Sequence, residues 1–347
     1  MVKTGIVYHE NYLKHDTGDH PESKMRLIDI MMLLEETEAL DKLTDIHPKK
    51  ATIDQVGYVH RVSYIKELRS RCQKGIDRLD VDTIISLDSY DVALLAAGGV
   101  LSAADRVIKD LDNAFALIRP PGHHADSDQG GGFCLFNNIA ISTRHVQLCH
   151  HLDKVLIIDW DVHHGNGTQN IFYDDPSVLY FSTHQSPLYP GTGAIEEVGV
   201  GDGEGFTVNV PLPVGTGDMG YIYVFNEVLA PIATEFKPDF ILISAGADAH
   251  FADPLGGMDL TANGFGLLTN MVKMIAGHAC KGRIVAALEG GYDLTGLSYS
   301  ILSILNSLGD LEININEPKP IPKDDLSDQV RNRVRDVRKV QAEYWDI

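Results

Sequence analysis

The chain is poor in cysteine and in basic residues, and each shortage excludes a class of protein. Four cysteines are spread over 347 residues without a CxxC pair, so neither a disulfide framework nor a thiolate zinc site is predicted. The 29 basic residues are outnumbered by 49 acidic ones, and the formal charge is −20. Because nucleic-acid binders need a basic face, no direct nucleic-acid partner is expected. The acidic surface favours a cationic substrate, although solubility alone explains it equally well.

Long hydrophobic runs are also missing. No stretch approaches the ~18 apolar residues of a membrane span, and the N-terminal segment lacks the basic region and cleavage site of a signal peptide. A cytoplasmic protein is therefore expected. With 44% hydrophobic residues and no break in composition, we predict one domain over residues 1–347. Its core spans about 1–310 and a charged helix spans about 324–344.

Short apolar, β-branched runs alternate with amphipathic stretches, which is typical of an α/β protein with a parallel sheet. The predicted strands are 5–8, 114–118, 155–159, 178–182, 207–210, 240–244 and 284–288. The predicted helices are 23–40, 92–111, 138–150, 219–236, 261–280, 295–308 and 325–344. Ser23 is expected to cap the first helix.

Polar clusters follow five of these predicted strands, where ligands of parallel α/β sheets bind. The clusters are RPPGHH (119–124), DWDVHHGNG (159–167), STH (182–184), AGADAH (245–250) and EGGY (289–292). We therefore expect all five to meet in one crevice.

Asp161 and His163 are separated by one residue, so in extended chain their side chains point the same way and can bind one ion. Asp248, at another strand end, can supply a third ligand. Two carboxylates and an imidazole with open positions suit a catalytic Zn²⁺ that keeps a bound water, and the same ligands also accept Fe²⁺. The alternative is a turn-capping aspartate and a buried, hydrogen-bonded histidine. The further polar clusters at neighbouring strand ends favour the metal.

His123 and His124 follow two prolines and a glycine that restrict the backbone, and adjacent imidazoles at a strand end are candidates for general acid–base work. Tyr292 follows two glycines and can donate a hydrogen bond to a developing oxyanion, the alternative being an aromatic ring packed on the sheet edge. A second adjacent pair, His150 and His151, ends a predicted helix. That pair is interpreted as solvent-exposed cations near a helix C-terminus.

Several segments also match a known family. They are RPPGHHA (119–125), GGFCLFNN (131–138), DWDVHHGNGTQ (159–169), SAGADAHFADPLG (244–256) and EGGYD (289–293), with HPESKMR (20–26) and YVHRVSYI (58–65) before them. In these segments the chain resembles the histone deacetylase family, in the form of class II enzymes and their prokaryotic relatives. Those relatives include histone deacetylase-like amidohydrolases and acetylpolyamine amidohydrolases. The resemblance spans roughly residues 5 to 310, in order and at similar spacing.

The resemblance implies a single-domain, three-layer arginase/deacetylase-like α/β fold with a central, mainly parallel sheet. It implies zinc-dependent hydrolysis of N-acylated amines, most of all acetyl-lysine in proteins or peptides. Zinc would bind Asp161, His163 and Asp248, and the implied catalytic residues are His123, His124, Tyr292, Asp159 and Asn166, the last two orienting His123 and His124. The implied substrate-binding residues are Asp82, Gly132, Phe133, Tyr189 and Leu255. Potassium is expected at Asp159, Asp161, His163, Ser182 and Thr183.

One departure and three alternatives accompany the resemblance. Ala247 replaces a bulkier family residue and is expected to leave extra space behind the site. An acetylpolyamine amidohydrolase would keep every catalytic residue, but those enzymes resemble one another in a longer insertion before the histidine pair, which this chain lacks. A manganese ureohydrolase needs more strand-end carboxylates. A non-catalytic module that binds acyl-lysine would not require the complete set of histidines, aspartates and tyrosine.

Overall fold

One eight-stranded sheet organises the chain. The structure is a computed structural model that describes residues 2–347, so Met1, the first residue of the predicted domain, lies outside the described residues. The strands are β1 (Thr4–Val7), β2 (Thr44–Ile46), β3 (Asn113–Ala116), β4 (Val155–Asp159), β5 (Val178–Gln185), β6 (Thr207–Leu212), β7 (Phe240–Ala245) and β8 (Ile284–Leu288). Every neighbouring pair is parallel, in the order β2-β1-β3-β8-β7-β4-β5-β6.

Helices connect and cover these strands. They are α1 (Met25–Glu36), α2 (Ile53–Val56), α3 (Val62–Gln73), α4 (Ser89–Lys109), α5 (Asn138–His150), α6 (Asn166–Phe172), α7 (Asp218–Val224), α8 (Ala230–Phe236), α9 (Ala262–Ala279), α10 (Leu294–Gly309) and α11 (Asp328–Gln341). A π-helical segment, Phe225–Leu229, joins α7 to α8. Helices α1, α9 and α10 pack together in one layer, and α4 and α5 pack together in another. Seven of the eight strands are buried at every residue, as strands covered on both faces require.

The predicted α/β class and arginase/deacetylase-like fold are confirmed, and all seven predicted strands are present. Three elements between residues 40 and 75 were not predicted, the edge strand β2 and helices α2 and α3, and neither was α6. The expected cap of α1 was wrong. The N-cap residue is Lys24, which makes no side-chain capping hydrogen bond, and the first turn is anchored by the buried Arg26, which donates to the Gly291 carbonyl and to Glu22.

The order of the strands explains why distant polar clusters can meet. Strands β3, β8, β7, β4 and β5 are consecutive in the sheet although they are far apart in the chain. Their carboxyl ends carry all five polar clusters. Asp159 at the end of β4 is in register with Ser182 on β5 and with Ser244 on β7. One edge of the sheet therefore collects the candidate functional residues.

The C-terminal tail (residues 310–347) runs back across the loops that follow β7 and β8. Glu317 accepts hydrogen bonds from His250 Nε2 at 2.5 Å and from the Ala262 amide at 3.1 Å. Lys319 Nζ lies 2.6 Å from Asp293 Oδ2. Helix α11 then packs against β6 through buried valines, and Trp345 packs on Phe206. The charged terminal segment is thus a helix packed against the rest of the chain. Within residues 2–347, no helix combines the length and apolarity needed to cross a membrane.

Candidate active site

Three side chains at the ends of β4 and β7 form a compact donor cluster. His163 Nδ1 lies 3.1 Å from Asp161 Oδ1 and 3.2 Å from Asp248 Oδ2, and one ligand atom from each residue falls within a 4.8 Å span. Both carboxylates are fully buried. Burial lowers the pKa of His163, but Asp161 and Asp248 outweigh burial and raise it to about 10. The two buried carboxylates thus favour positive charge at this position, which a divalent cation would supply.

The backbone around this cluster has room only for glycine. A Cβ on Gly290 would lie 1.9 Å from Asp248 Oδ2, and one on Gly246 would lie 2.0 Å from Asp161 Oδ2. The Gly290 amide donates to Asp161 Oδ2 at 2.8 Å, and the Val162 amide donates to Asp248 Oδ1 at 2.9 Å. Each carboxylate is therefore oriented by an amide. The residues present fit a zinc ion in donor type, spacing and support.

The adjacent histidines contact different partners. Their ring centroids are 4.0 Å apart. His123 Nδ1 donates to Asp159 Oδ2 at 3.1 Å, and His124 Nδ1 donates to Asn166 Oδ1 at 2.8 Å. Because Nδ1 of His124 carries the proton in that bond, Nε2 of the neutral ring keeps a lone pair. The two residues expected to orient the pair therefore lie within hydrogen-bonding distance of it.

Electrostatics separate the two rings further. Burial disfavours a charged His123, but Asp161 and Asp159 outweigh burial and raise its pKa well above the ordinary value. Burial and the positive neighbours His123 and His163 lower the pKa of His124 well below the ordinary value. These surroundings favour the charged form of the first ring and the neutral form of the second.

Tyr292 faces the same crevice from the end of β8. Its amide donates to Asp253 Oδ2 at 2.6 Å, and Arg26 donates to the Gly291 carbonyl at 2.7 Å, so the loop is held from two sides. The Arg26 guanidinium lies 5.1 Å from the centroid of the Tyr292 ring. Burial raises the pKa of the phenol well above its usual value, which keeps the hydroxyl protonated and able to donate. Ala247 is fully buried beside Gly291.

A cavity of about 380 Å³ leads from the surface to these groups. It is lined by all five predicted substrate-binding residues, Asp82, Gly132, Phe133, Tyr189 and Leu255, and by His123, His124, His163 and Tyr292. The Phe133 ring meets the Tyr292 ring edge-on with centroids 5.8 Å apart. The ring centroids of Tyr189 and His124 are 5.1 Å apart. Asp82 stands at the mouth with most of its side chain exposed. A Cβ on Gly132 would lie 2.5 Å from His124, so this wall requires glycine.

The residues expected to hold a monovalent cation lie on strands β4 and β5 and directly after β4. Asp159, Asp161 and Ser182 are fully buried at the ends of β4 and β5, and His163 follows β4. The hydroxyl of Thr183 is also buried and makes no hydrogen bond with the described residues. A buried oxygen without a donor is a suitable ligand for a bound cation.

Two contributors to the site were given no role from the sequence. Tyr180 donates to Asp159 Oδ2 at 3.1 Å from within β5. Glu289 was quoted within a motif without a role, yet its carboxylate accepts from the amides of Gly122 and His123 at 2.6 and 3.2 Å. Both act across the sheet, and only the strand order brings them near the histidine pair.

A second buried group, His123, Cys134 and Glu289, also brings potential ligand atoms together. It does not suit a metal. Burial and the nearby Glu289 raise the pKa of the Cys134 thiol well above its ordinary value, so the thiol stays protonated. Glu289 is already satisfied by two backbone amides.

The interpretation of the other histidine pair was half wrong. His151 is exposed, with its backbone in the left-handed region at the end of α5. His150 is instead partly buried, with Nε2 2.7 Å from Asp105 on α4. The carboxylate comes from a different helix, so the local sequence around residue 150 could not reveal it.

Comparison with known proteins decides the family. The family model of the histone deacetylase domain matches residues 20–308. A protein named probable deacetylase from Archaeoglobus fulgidus is 45% identical, and the match covers 99% of this chain and 98% of the relative. The chain belongs to the histone deacetylase family.

Two further relatives agree with that assignment. Histone deacetylase 10, chloroplastic, from Oryza sativa subsp. japonica is 42% identical over 83% of this chain and 69% of the relative. The crystal structure of the HDA15 HD domain superposes with a TM-score of 0.90 at 36% identity, and the match covers 99% of this chain and 96% of that one. The chain is therefore a deacetylase, and the non-catalytic and ureohydrolase alternatives are set aside.

Proposed function

We propose that this deacetylase uses one Zn²⁺, held by Asp161, His163 and Asp248, to hydrolyse the amide bond of acetyl-lysine in proteins or peptides. The observation that carries the proposal is the cluster itself: two buried carboxylates and an imidazole, with the imidazole lining a cavity that two further histidines and a tyrosine also line. When bound, zinc polarises the amide carbonyl and acidifies a water.

The remaining chemistry falls to the side chains around the cluster. His124 Nε2 takes the proton of the attacking water, because its ring is neutral and carries a lone pair. The same ring then delivers that proton to the leaving amine. His123, paired with Asp159, contributes positive charge, and Tyr292 donates to the oxyanion from the opposite wall.

The form of the cavity supports a slim, extended substrate. Phe133, Tyr189 and Leu255 give it apolar walls, while Asp82 at its mouth can accept hydrogen bonds from a substrate backbone. A potassium ion beneath the site, near Ser182 and Thr183, would stabilise the carboxylates that support His123 and the zinc. An acetylated polyamine remains the second candidate, because the acidic chain would also attract that cation.

The decisive experiment compares purified protein on acetyl-lysine peptides, longer acyl-lysine peptides and acetylated polyamines. Peptide deacetylation with a higher kcat/KM than polyamine deacetylation supports the proposal, and the reverse order overturns the substrate assignment. Asp248→Ala should abolish both zinc binding at this cluster and activity while circular dichroism stays unchanged. Full activity in thoroughly demetallated protein would disprove the metal assignment.

A chelating inhibitor gives an independent check. A hydroxamate on a slim apolar linker should inhibit, since it can occupy the open metal positions and reach both the histidine pair and Tyr292. The proposed cytoplasmic location is tested by fractionating cells that express the protein. Relatives from rice and Arabidopsis thaliana carry names that place them in chloroplasts.

A further inference from the structure

A second convergence of metal-binding side chains lies away from the cavity, between helices α4 and α5. Asp105 projects from α4, and His145 and His150 project from α5. Nε2 of His145 lies 2.8 Å from Asp105 Oδ1, and Nε2 of His150 lies 2.7 Å from the same oxygen. The two imidazoles, with ring centroids 5.3 Å apart, are therefore aimed at one point.

The charge around this point is unbalanced. Asp105 forms no ion pair with a lysine or arginine within residues 2–347, and its Oδ2 accepts no hydrogen bond there. Nδ1 of His145 is buried without a partner, so a cationic ring would bury an unpaired N–H. The neutral tautomer that coordinates a metal through Nε2 carries its proton on the same Nδ1, so a bound ion must offset the cost of this buried N–H. One carboxylate and two neutral imidazoles leave a net negative charge for a cation to balance.

From these contacts we infer that Asp105, His145 and His150 form a second Zn²⁺ site, distinct from the site at the strand ends. Two imidazoles and one carboxylate match zinc and related transition metals, whereas calcium and magnesium require oxygen ligands. Asp105 is about half exposed, so water can complete the coordination.

The site needs only a small adjustment to accept the ion. Ligand atoms about 2.0 Å from a tetrahedral zinc are separated by about 3.3 Å, against 2.7 and 2.8 Å here. Asp105 is half exposed and can move towards solvent, so that zinc fits between its Oδ1 and the two Nε2 atoms. Because the ligands come from two helices, the ion would tie α4 to α5 and stabilise the folded chain.

The test counts zinc ions by equilibrium dialysis of the full chain at micromolar free Zn²⁺. We expect two ions per wild-type chain, one in His150→Ala, one in Asp248→Ala and none in the double variant. Deacetylase activity of His150→Ala should match the wild type, and zinc should raise the melting temperature of Asp248→Ala but not of the double variant.

His151→Ala is the matched control, because it removes an adjacent exposed histidine and should keep both ions. Asp105→Asn preserves the shape of the cluster while removing its charge, and should also lose one ion. Equal zinc content in wild type, His150→Ala and Asp105→Asn would overturn the inference and leave the three residues as a hydrogen-bonded link between helices. Loss of an ion from His151→Ala as well would overturn it too, since the extra zinc would then be bound without selectivity.

Discussion

His123 and His124 are neighbours in the chain, with rings 4.0 Å apart, yet their surroundings favour different charge states. The partner of His123 is a buried carboxylate, and the partner of His124 is an amide. The pKa of the first ring is raised by Asp161 and Asp159 against the effect of burial, and the pKa of the second is lowered by burial and by its positive neighbours. Two nearby carboxylates thus favour a charged His123, whereas the amide partner of His124 does not oppose the burial and positive neighbours that keep that ring neutral.

Removing each ring in turn should give the largest effect. We expect His124→Ala to lower kcat/KM by about 10²–10⁴-fold, because it removes the proposed proton carrier. His123→Ala should cost less, about 10²–10³-fold, because it removes only charge stabilisation. Both are measured on an acetyl-lysine peptide with bound zinc quantified in each variant. A larger loss for His123→Ala at equal zinc content would exchange the two roles.

Tyr292 also lines the cavity, and Tyr292→Phe tests whether its hydroxyl, together with the charge of His123, stabilises the oxyanion. Charge on the carbonyl oxygen develops only as water attacks, so kcat should fall by roughly 10²-fold while KM changes little. A trifluoroacetylated substrate, with its activated carbonyl, should lose less than an acetylated one. A raised KM at unchanged kcat would make Tyr292 a residue of the cavity wall alone.

Asp159→Asn gives His123 an amide partner like the one that His124 has in Asn166. Without the carboxylate, the pKa of His123 should fall and the neutral ring should replace the cation, lowering kcat by about 10-fold or more. A divalent ion bound to Asp161 would offset the effect of that carboxylate on the pKa of His123. The effect of Asp159 on this pKa should therefore be the larger one in the zinc-loaded enzyme. Tyr180→Phe is the matched control, since it removes a hydroxyl bound to the same carboxylate and keeps the charge. Equal losses in both variants, with no change in the titration of His123 by NMR, would contradict this account.

Asn166→Asp makes the opposite change by giving His124 a carboxylate partner, and it should have the smallest effect on activity. A carboxylate beside His124 raises the pKa of the ring, so more of the base is protonated at any acidic pH. The acid limb of kcat/KM should therefore move to higher pH by about one unit, while the alkaline plateau stays close to wild type. Asn170→Asp, which adds the same charge at an exposed position of α6, should leave the profile in place. A profile that shifts equally in both variants would point to general surface charge.

The sequence predicts the buried parts of this fold well and the contacts between them poorly. Runs such as Val155–Asp159 are apolar enough to identify strands, whereas the three-residue edge strand Thr44–Ile46 has only one buried residue and gives no such pattern. The candidate site follows the same division. Its histidines, aspartates and tyrosine stand at predicted strand ends, but the contacts of Tyr180 and Glu289 depend on the strand order, which no local pattern encodes. The contact of His150 with Asp105 was missed because the two residues lie on different helices.

The contacts of the C-terminal tail mean that the catalytic region cannot be separated from the tail without losing support for its loops. The family match ends at residue 308, yet Glu317 holds His250, two residues after Asp248, and Lys319 holds Asp293, next to Tyr292. A chain cut at 310 would keep every candidate catalytic residue and lose both attachments. Replacing the tail with one from another protein would therefore remove both contacts and release the loops that carry Asp248 and Tyr292.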